Sequence, residues 1–325
     1  MKNIQADIKS GNFKQVYLLY GEEAYLKQQY KQNLVKALNP DGDTMNFNHY
    51  EGKGIDVKQL IDLCETMPFF AERRVVLLED TGFFKNKCEE LADYMKELPD
   101  YLYLVFAETE VDKRNRMYKA VKSCGSIAEF IRQDEKTLMR WAAGILGKAG
   151  KKITQRDMEL LLTKTGTDMG NLRMEMEKLI SYTEGRDVVT AEDIEEICTT
   201  QTTNRIFDMV RAVTEKNQKR ALELYYDLLT LKEPPMRILF LLAKQYRQLL
   251  LAKQFAAAGL AQTEIASKLG VPGFVVRNIT TCARAYTISE LEQAVKDFVD
   301  AEESVKTGPV SYTHLRAHET RSNLV

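Results

Sequence analysis

Residues 15–30 read QVYLLYGEEAYLKQQY: a run of apolar and aromatic residues, one glycine, two glutamates and the start of a helical pattern. A strand that is apolar on consecutive positions, not alternate ones, suits a parallel sheet covered on both faces. In a nucleotide-binding α/β domain the turn after such a strand carries G-x-x-x-x-G-K-[ST], whose amides and lysine hold phosphates. Gly21 stands where that loop begins, but Glu22 and Glu23 follow and no Gly-Lys-Thr appears. Two carboxylates at a helix N-terminus satisfy the helix dipole themselves and repel a triphosphate. Lys27, the one nearby cation, falls inside the predicted helix. The stretch has the shape of an ATPase strand–turn–helix without its phosphate chemistry.

Around this stretch, β-prone runs recur at 15–21, 47–52 (FNHYEG), 73–80 (RRVVLLED), 101–109 (YLYLVFAET) and 125–130 (GSIAEF). Helical patterns lie between them, at Glu23 to Leu38, Asp56 to Glu65, Lys87 to Leu98 and Lys113 to Lys122. The alternation predicts a three-layer α/β domain with a parallel sheet and right-handed crossovers, spanning 1–133. VVLLED imitates a magnesium-binding strand end, but Glu79-Asp80 without a phosphate loop reads as acidic residues closing a strand.

From Asp134 the sequence predicts helices alone. DEKTLMRWAAGILGKAG has an acidic start, helical period and terminal glycine. Three short helices follow, with Thr154 and Thr190 as N-caps and Asp193 completing a near capping box. Residues 134–203 thus form a small all-α domain. The polar TTQTTN at 199–204 is a hinge. A second all-α domain occupies 204–308, with helices at Arg205 to Thr214, Lys219 to Leu231, Pro234 to Ala258, Thr263 to Gly270, Gly273 to Tyr286 and Ser289 to Lys306. Residues 309–325 lack helical periodicity and are expected to be a non-native or disordered tail, so His314 and His318 carry no weight.

Composition bounds the chemistry. The 325 residues suit two or three domains, and 44% hydrophobic with 29% charged residues is an ordinary globular balance. No apolar run approaches the roughly 20 residues of a membrane span, and the N-terminus lacks a secretory core. Five cysteines far apart fit reduced thiols, not a zinc site or disulfide framework, and a cytoplasmic setting is expected. With three histidines, no catalytic, metal or cofactor site is predicted. A net charge of −1 predicts no strong unspecific grip on nucleic acid.

Three stretches hold candidate binding residues. CETMPFFAERRVVLLED, 64–80, sets Phe69 and Phe70 side by side, cut off from the strand by Glu72, Arg73 and Arg74. By composition such a pair is more often core than interface. DKRNRMYKAVK supplies Lys113, Arg114, Arg116, Lys119 and Lys122, either a solvated helix face or a basic contact for nucleic acid or another protein. AQTEIASKLGVPGFVVRNITTCA reads as a helix-turn-helix, with Ala266 at the helix contact, Gly270 in the turn and Pro272 opening the second helix. That second helix carries Phe274, Val275, Val276 and Ile279, a mostly apolar face where base reading needs polar groups. A helix-turn-helix regulator and a divergent P-loop NTPase are the alternative functions.

Taken together, VYLLYGEEAYLKQ, MPFFAERRVVLLED, VDKRNRMYKAVK, TGTDMGNLRMEMEKLISY and ASKLGVPGFVVRNI, in this order and spacing, resemble the delta subunits of the bacterial DNA polymerase III clamp loader, from about Val16 to Gly308. The resemblance implies a divergent AAA+ module of the P-loop NTPase (RecA-type) class, a three-helix lid and a helical collar for oligomerisation. It implies a subunit that hydrolyses no ATP within a DNA-directed DNA polymerase complex, binding the beta sliding clamp and opening the ring during DNA replication. Its partners would be the clamp, the ATPase and delta-prime subunits and primer–template DNA. The ATPase subunit's four-cysteine zinc site and Ser-Arg-Cys motif have no counterpart; the nearest stretch is Ser123-Cys124-Gly125. In that family an apolar pair at the position of Phe69 and Phe70 enters a hydrophobic pocket on the clamp. Met67 and Pro68 would then shape the approach, and Glu72, Arg73 and Arg74 would flank it. The family's collar usually ends in one more apolar helix, which the foreign-looking tail replaces here.

Overall fold

The computed structural model describes residues 2–199 and 202–307. They fall into two compact units that part between Gln133 and Asp134. The first unit runs α1 (Lys2–Ser10), β1 (Val16–Tyr20), α2 (Ala24–Leu38), β2 (Phe47–Glu51), α3 (Val57–Glu65), β3 (Arg74–Glu79), α4 (Glu89–Tyr94), β4 (Leu102–Glu108), α5 (Arg116–Cys124) and β5 (Ser126–Glu129). The five strands form one parallel sheet in the order β2-β3-β4-β1-β5. Consecutive apolar residues are needed because both faces are covered. Val16, Leu18 and Tyr20, with Val76, Leu78, Leu104 and Phe106, pack beneath Leu60 of α3, Leu91 of α4 and Met117 and Val121 of α5. Their neighbours Tyr17, Leu19, Val75, Leu77 and Val105 pack on the other face against Ile4 of α1 and Leu34 and Leu38 of α2. Each fully buried side chain of this kind stabilises by about 1.5–3 kcal/mol.

Three boundaries differ from the sequence reading. Helix α1 has no counterpart there; its apolar residues are few, and Ile4 alone is fully buried. Helix α4 ends at Tyr94, not Leu98: Lys96 and Glu97 bond back three residues in turns before Pro99, which disfavours helix in the residue it follows. Helix α5 starts at Arg116 because Asn115 caps it, its Oδ1 accepting the Met117 N–H at 2.9 Å, so Lys113 and Arg114 lie in the preceding turn.

The second unit runs α6 (Glu135–Lys148), β6 (Lys152–Ile153), α7 (Gln155–Thr165), α8 (Met169–Tyr182), β7 (Val188–Val189), α9 (Ala191–Ile197), α10 (Thr202–Thr214), α11 (Gln218–Thr230), α12 (Pro235–Ala257), α13 (Gln262–Leu269), α14 (Gly273–Ala283) and α15 (Ile288–Lys306). The expectation of helices alone is corrected by β6 and β7, a two-residue parallel pair. Ile153 and Val189, one from each strand, pack into the same core as α6 to α9. A separate core lies under α10 to α15. Helix α14 serves both, since Phe274 lies in the first core and Val276 and Ile279 in the second. The hinge expected at 199–204 is corrected at its end, since residues 202–204 already belong to α10; residues 200 and 201 and the whole tail at 309–325 lie outside those described.

Candidate functional site

The loop from Thr66 to Arg73 leads from α3 into β3 at the N-terminal edge of the sheet. Neither phenylalanine is core. Phe69 is 56% and Phe70 94% exposed, and Met67 beside them is 74% exposed. The two rings meet edge to face, centroids 4.5 Å apart, so the pair projects as one object. Phe70 adopts φ +49, a left-handed backbone that costs an L-residue about 1–2 kcal/mol.

Buried polar side chains hold this loop. Asn46, 4% exposed just before β2, accepts the Phe69 N–H on Oδ1 at 2.7 Å and donates from Nδ2 to the Phe69 carbonyl at 2.8 Å. The same Nδ2 donates to the Asp43 carboxylate, which is held below the usual aspartate range chiefly by that bond. The expectation that Arg74 lies at the rim is corrected: it is 5% exposed and turned inward. Its Nε donates to the Thr66 carbonyl at 2.8 Å, one terminal nitrogen to Asn48 Oδ1 at 3.1 Å and the other to the Met67 carbonyl at 3.3 Å. Glu72 is exposed, and Arg73 is half-buried with its guanidinium 5.2 Å and 5.4 Å from the Phe13 and Tyr103 ring centroids. Asn46 and Asp43 escape a reading of sequence alone. Nothing in TMNFNHY points to a partner 23 residues on.

The C-terminal edge of the sheet, where open α/β folds bind ligands, is closed by protein groups. Gly21 is needed for contact, not for phosphate: with φ +125, a Cβ there would lie 2.3 Å from the Phe130 carbonyl oxygen. That carbonyl accepts the Glu23 N–H at 2.9 Å, and the Phe130 N–H donates to Tyr20 O at 2.7 Å. Glu23 is buried, and Glu22 lies 3.5 Å from Arg132 in an exposed pair. Lys27 reaches out of α2 to the Glu108 carbonyl at 2.9 Å, and burial holds its ammonium below the ordinary lysine range. Lys31 pairs with Glu79 at 2.6 Å, and His49 lies 2.9 Å from the other Glu79 oxygen. Asp80 accepts the Thr109 N–H at 2.8 Å. Glu108, 2% exposed, accepts from the N–H and hydroxyl of Thr81; burial raises its carboxyl, partly offset by those donors. The Glu23 amide, Lys27 and Lys31 are thus engaged by carbonyls and a carboxylate. Among the described residues, no group of three or more His, Cys, Asp or Glu is placed to hold a metal.

The basic stretch is largely neutralised. Lys113 pairs with Glu129 at 2.8 Å, Arg114 with Asp112 at 3.0 Å and Arg116 with Asp93 at 2.6 Å; Lys119 and Lys122 are exposed. In the helix-turn-helix, Gly270 takes the left-handed φ of +65 that the turn requires. Its second helix, α14, buries Phe274, Val276 and Ile279, and Arg277 pairs with Glu159 at 3.3 Å. A helix wedged between two cores leaves little face for base edges. No helix among the described residues is long and apolar enough to cross a membrane.

Comparison with known proteins agrees with this architecture. The family model described as DNA polymerase III, delta subunit, matches residues 17–130, and the model for the C-terminal domain of the same family matches 203–315. The DNA polymerase III subunit delta of Bacillus subtilis (strain 168) is 26% identical over 319 residues, 94% of this chain and 92% of its own length. A probable DNA polymerase III subunit delta of Aquifex aeolicus (strain VF5) is 22% identical over 270 residues, 79% of this chain and 75% of its own. The solved Bacillus subtilis DNA clamp loader delta protein shares the fold, with a TM-score of 0.65 at 24% identity over 97% of each chain. With both halves matched by models of one family and a relative aligned over nearly its whole length, the chain belongs to the DNA polymerase III delta-subunit family.

Proposed function

We propose that this chain binds the beta sliding clamp of a DNA polymerase III clamp loader and opens the ring without hydrolysing ATP itself. Phe69 and Phe70 enter an apolar pocket of the clamp, with Met67 and Pro68 beside them and Glu72 and Arg73 at the rim. Arg74 acts from within, fixing the loop. The observation that carries this reading is the pair itself: two adjacent phenylalanines, 56% and 94% exposed, their rings edge to face and outside the core. Proline fixes φ and stiffens the approach, while methionine adapts to an irregular pocket.

Burying each ring contributes about 1.5–3 kcal/mol, against an association cost of about 4–15 kcal/mol. The rings therefore anchor the complex and the polar rim must add to them. Ring opening is a population shift: the protein favours the open clamp only as far as it binds that form better than the closed one. The ATPase and delta-prime subunits are its partners in a cytoplasmic hetero-oligomer, with primer–template DNA held by the assembly. Lys119 and Lys122, the exposed members of the basic stretch, are its candidates for touching DNA or a neighbouring subunit.

The test is co-elution with the sliding clamp of the same organism, parent against a Phe69→Ala/Phe70→Ala double variant. Loss of both rings should weaken binding by about 10²–10⁴-fold, the equivalent of roughly 3–6 kcal/mol. Far-UV circular dichroism should not change, since both rings lie outside the core. A double variant that binds as the parent does would falsify the assignment.

A further inference from the structure

We propose that Asn46 is a positioning residue for the clamp contact: its buried carboxamide fixes the backbone of Phe69 so that both rings are presented together. The inference rests on the reading of this loop as the clamp-binding element. A carboxamide offers one acceptor and two donors, and here each is directed. Oδ1 takes the Phe69 N–H, and Nδ2 gives to the Phe69 carbonyl and to Asp43. The Asp43 carboxylate only accepts, which settles which way the amide faces. Asn46 is itself rooted in the sheet, its carbonyl accepting the Val75 N–H at 2.9 Å.

Both main-chain polar groups of Phe69 are thus bonded to a single side chain, as a neighbouring strand would bond them. Arg74 fixes the start of the loop through the carbonyls of Thr66 and Met67. Phe70, next along the chain, holds the unfavourable positive φ only while its surroundings determine it. Once Asn46 is removed, Phe69 rotates about its backbone, Phe70 relaxes and the edge-to-face pair separates. Affinity then falls with the fraction of molecules that still present the pair, because ordering at the interface must be supplied by binding.

The experiment uses full-length Asn46→Ala and Asn46→Asp beside the Phe69→Ala/Phe70→Ala variant, each titrated with the sliding clamp. A second series carries fluorinated phenylalanine at positions 69 and 70. Both Asn46 variants are expected to bind at least about tenfold more weakly. The two fluorine resonances, separated in the parent by the fixed edge-to-face contact, should converge toward the free-ring position. A merely structural asparagine would lower the unfolding midpoint and leave the resonances and affinity of the folded protein unchanged. Asn46→Asp keeps the side-chain volume and the acceptor, so it decides the matter where the alanine variant does not fold. If the double phenylalanine variant loses the clamp while the Asn46 variants bind and resonate as the parent does, the positioning role is wrong and the loop assignment stands. If the double variant binds normally, the loop assignment falls and this inference goes with it.

Discussion

Phe70 combines a φ of +49 with a ring that is 94% exposed, so neither its backbone nor its side chain sits where a phenylalanine is most stable. Strain of this kind persists where the surroundings over-determine it, and it points to use. Replacing it by asparagine, which tolerates the left-handed region, should raise unfolding stability by up to about 1 kcal/mol. The same change should weaken clamp binding. Urea unfolding and a binding titration on the one variant check both, and a stability loss would argue that the ring packs against its own chain. Gly21 shows the opposite case: its positive φ and missing side chain let the chain leaving β1 pass close against the Phe130 backbone just beyond β5, in the very place where a nucleotide enzyme would hold phosphate.

Among elements, α9 shows how a short helix is secured by its cap. Thr190 and Asp193 form a reciprocal capping box, and Arg186 donates to Asp193 Oδ1 at 2.9 Å. Burial alone would raise the Asp193 carboxyl, but the Thr190 N–H and the Arg186 guanidinium outweigh it and hold it below the ordinary value of 3.8. A depressed folded pKa means that the contribution is present above the unfolded pKa and is lost as pH falls through the folded one. Asp193→Ala should therefore cost about 1–2 kcal/mol at neutral pH. The gap to the parent should close as pH drops below about 4, as read from urea midpoints across that range. A gap independent of pH would remove the carboxylate from the explanation. Helix α14 carries a different lesson: its apolar face is legible in the sequence, but that it fills two cores at once is not.

At the scale of the whole molecule, a nearly neutral protein exposes a phenylalanine pair at one edge of its parallel sheet and carries carboxylates at the other. Ligand binding to the native state raises the melting temperature by mass action. Because Lys27 and Lys31 are engaged by Glu108 and Glu79, addition of magnesium ATP should leave the melting temperature unchanged. A clear upward shift by differential scanning fluorimetry would reopen the nucleotide-binding alternative. Clamp binding should, by contrast, weaken only in part with added salt, since the apolar burial of the rings is not screened while the charged rim is.

The layered α/β unit, the succession of its strands along the chain and the mostly helical remainder are written in local period: VYLLY and LYLVF, apolar on consecutive positions, suit strands covered on both faces. The missing Gly-Lys-Thr is equally plain. Which side of the molecule each polar residue serves became visible only once the chain was folded. Arg74 and Arg73 are adjacent in sequence, yet Arg74, the first residue of β3, is sealed beneath the loop by its bonds to Thr66, Met67 and Asn48, while Arg73, the last residue of the loop, lies over two rings. Asn46 and Phe69 meet across 23 residues, and a bond at that separation exists only once the parallel sheet has brought the edges of β2 and β3 together.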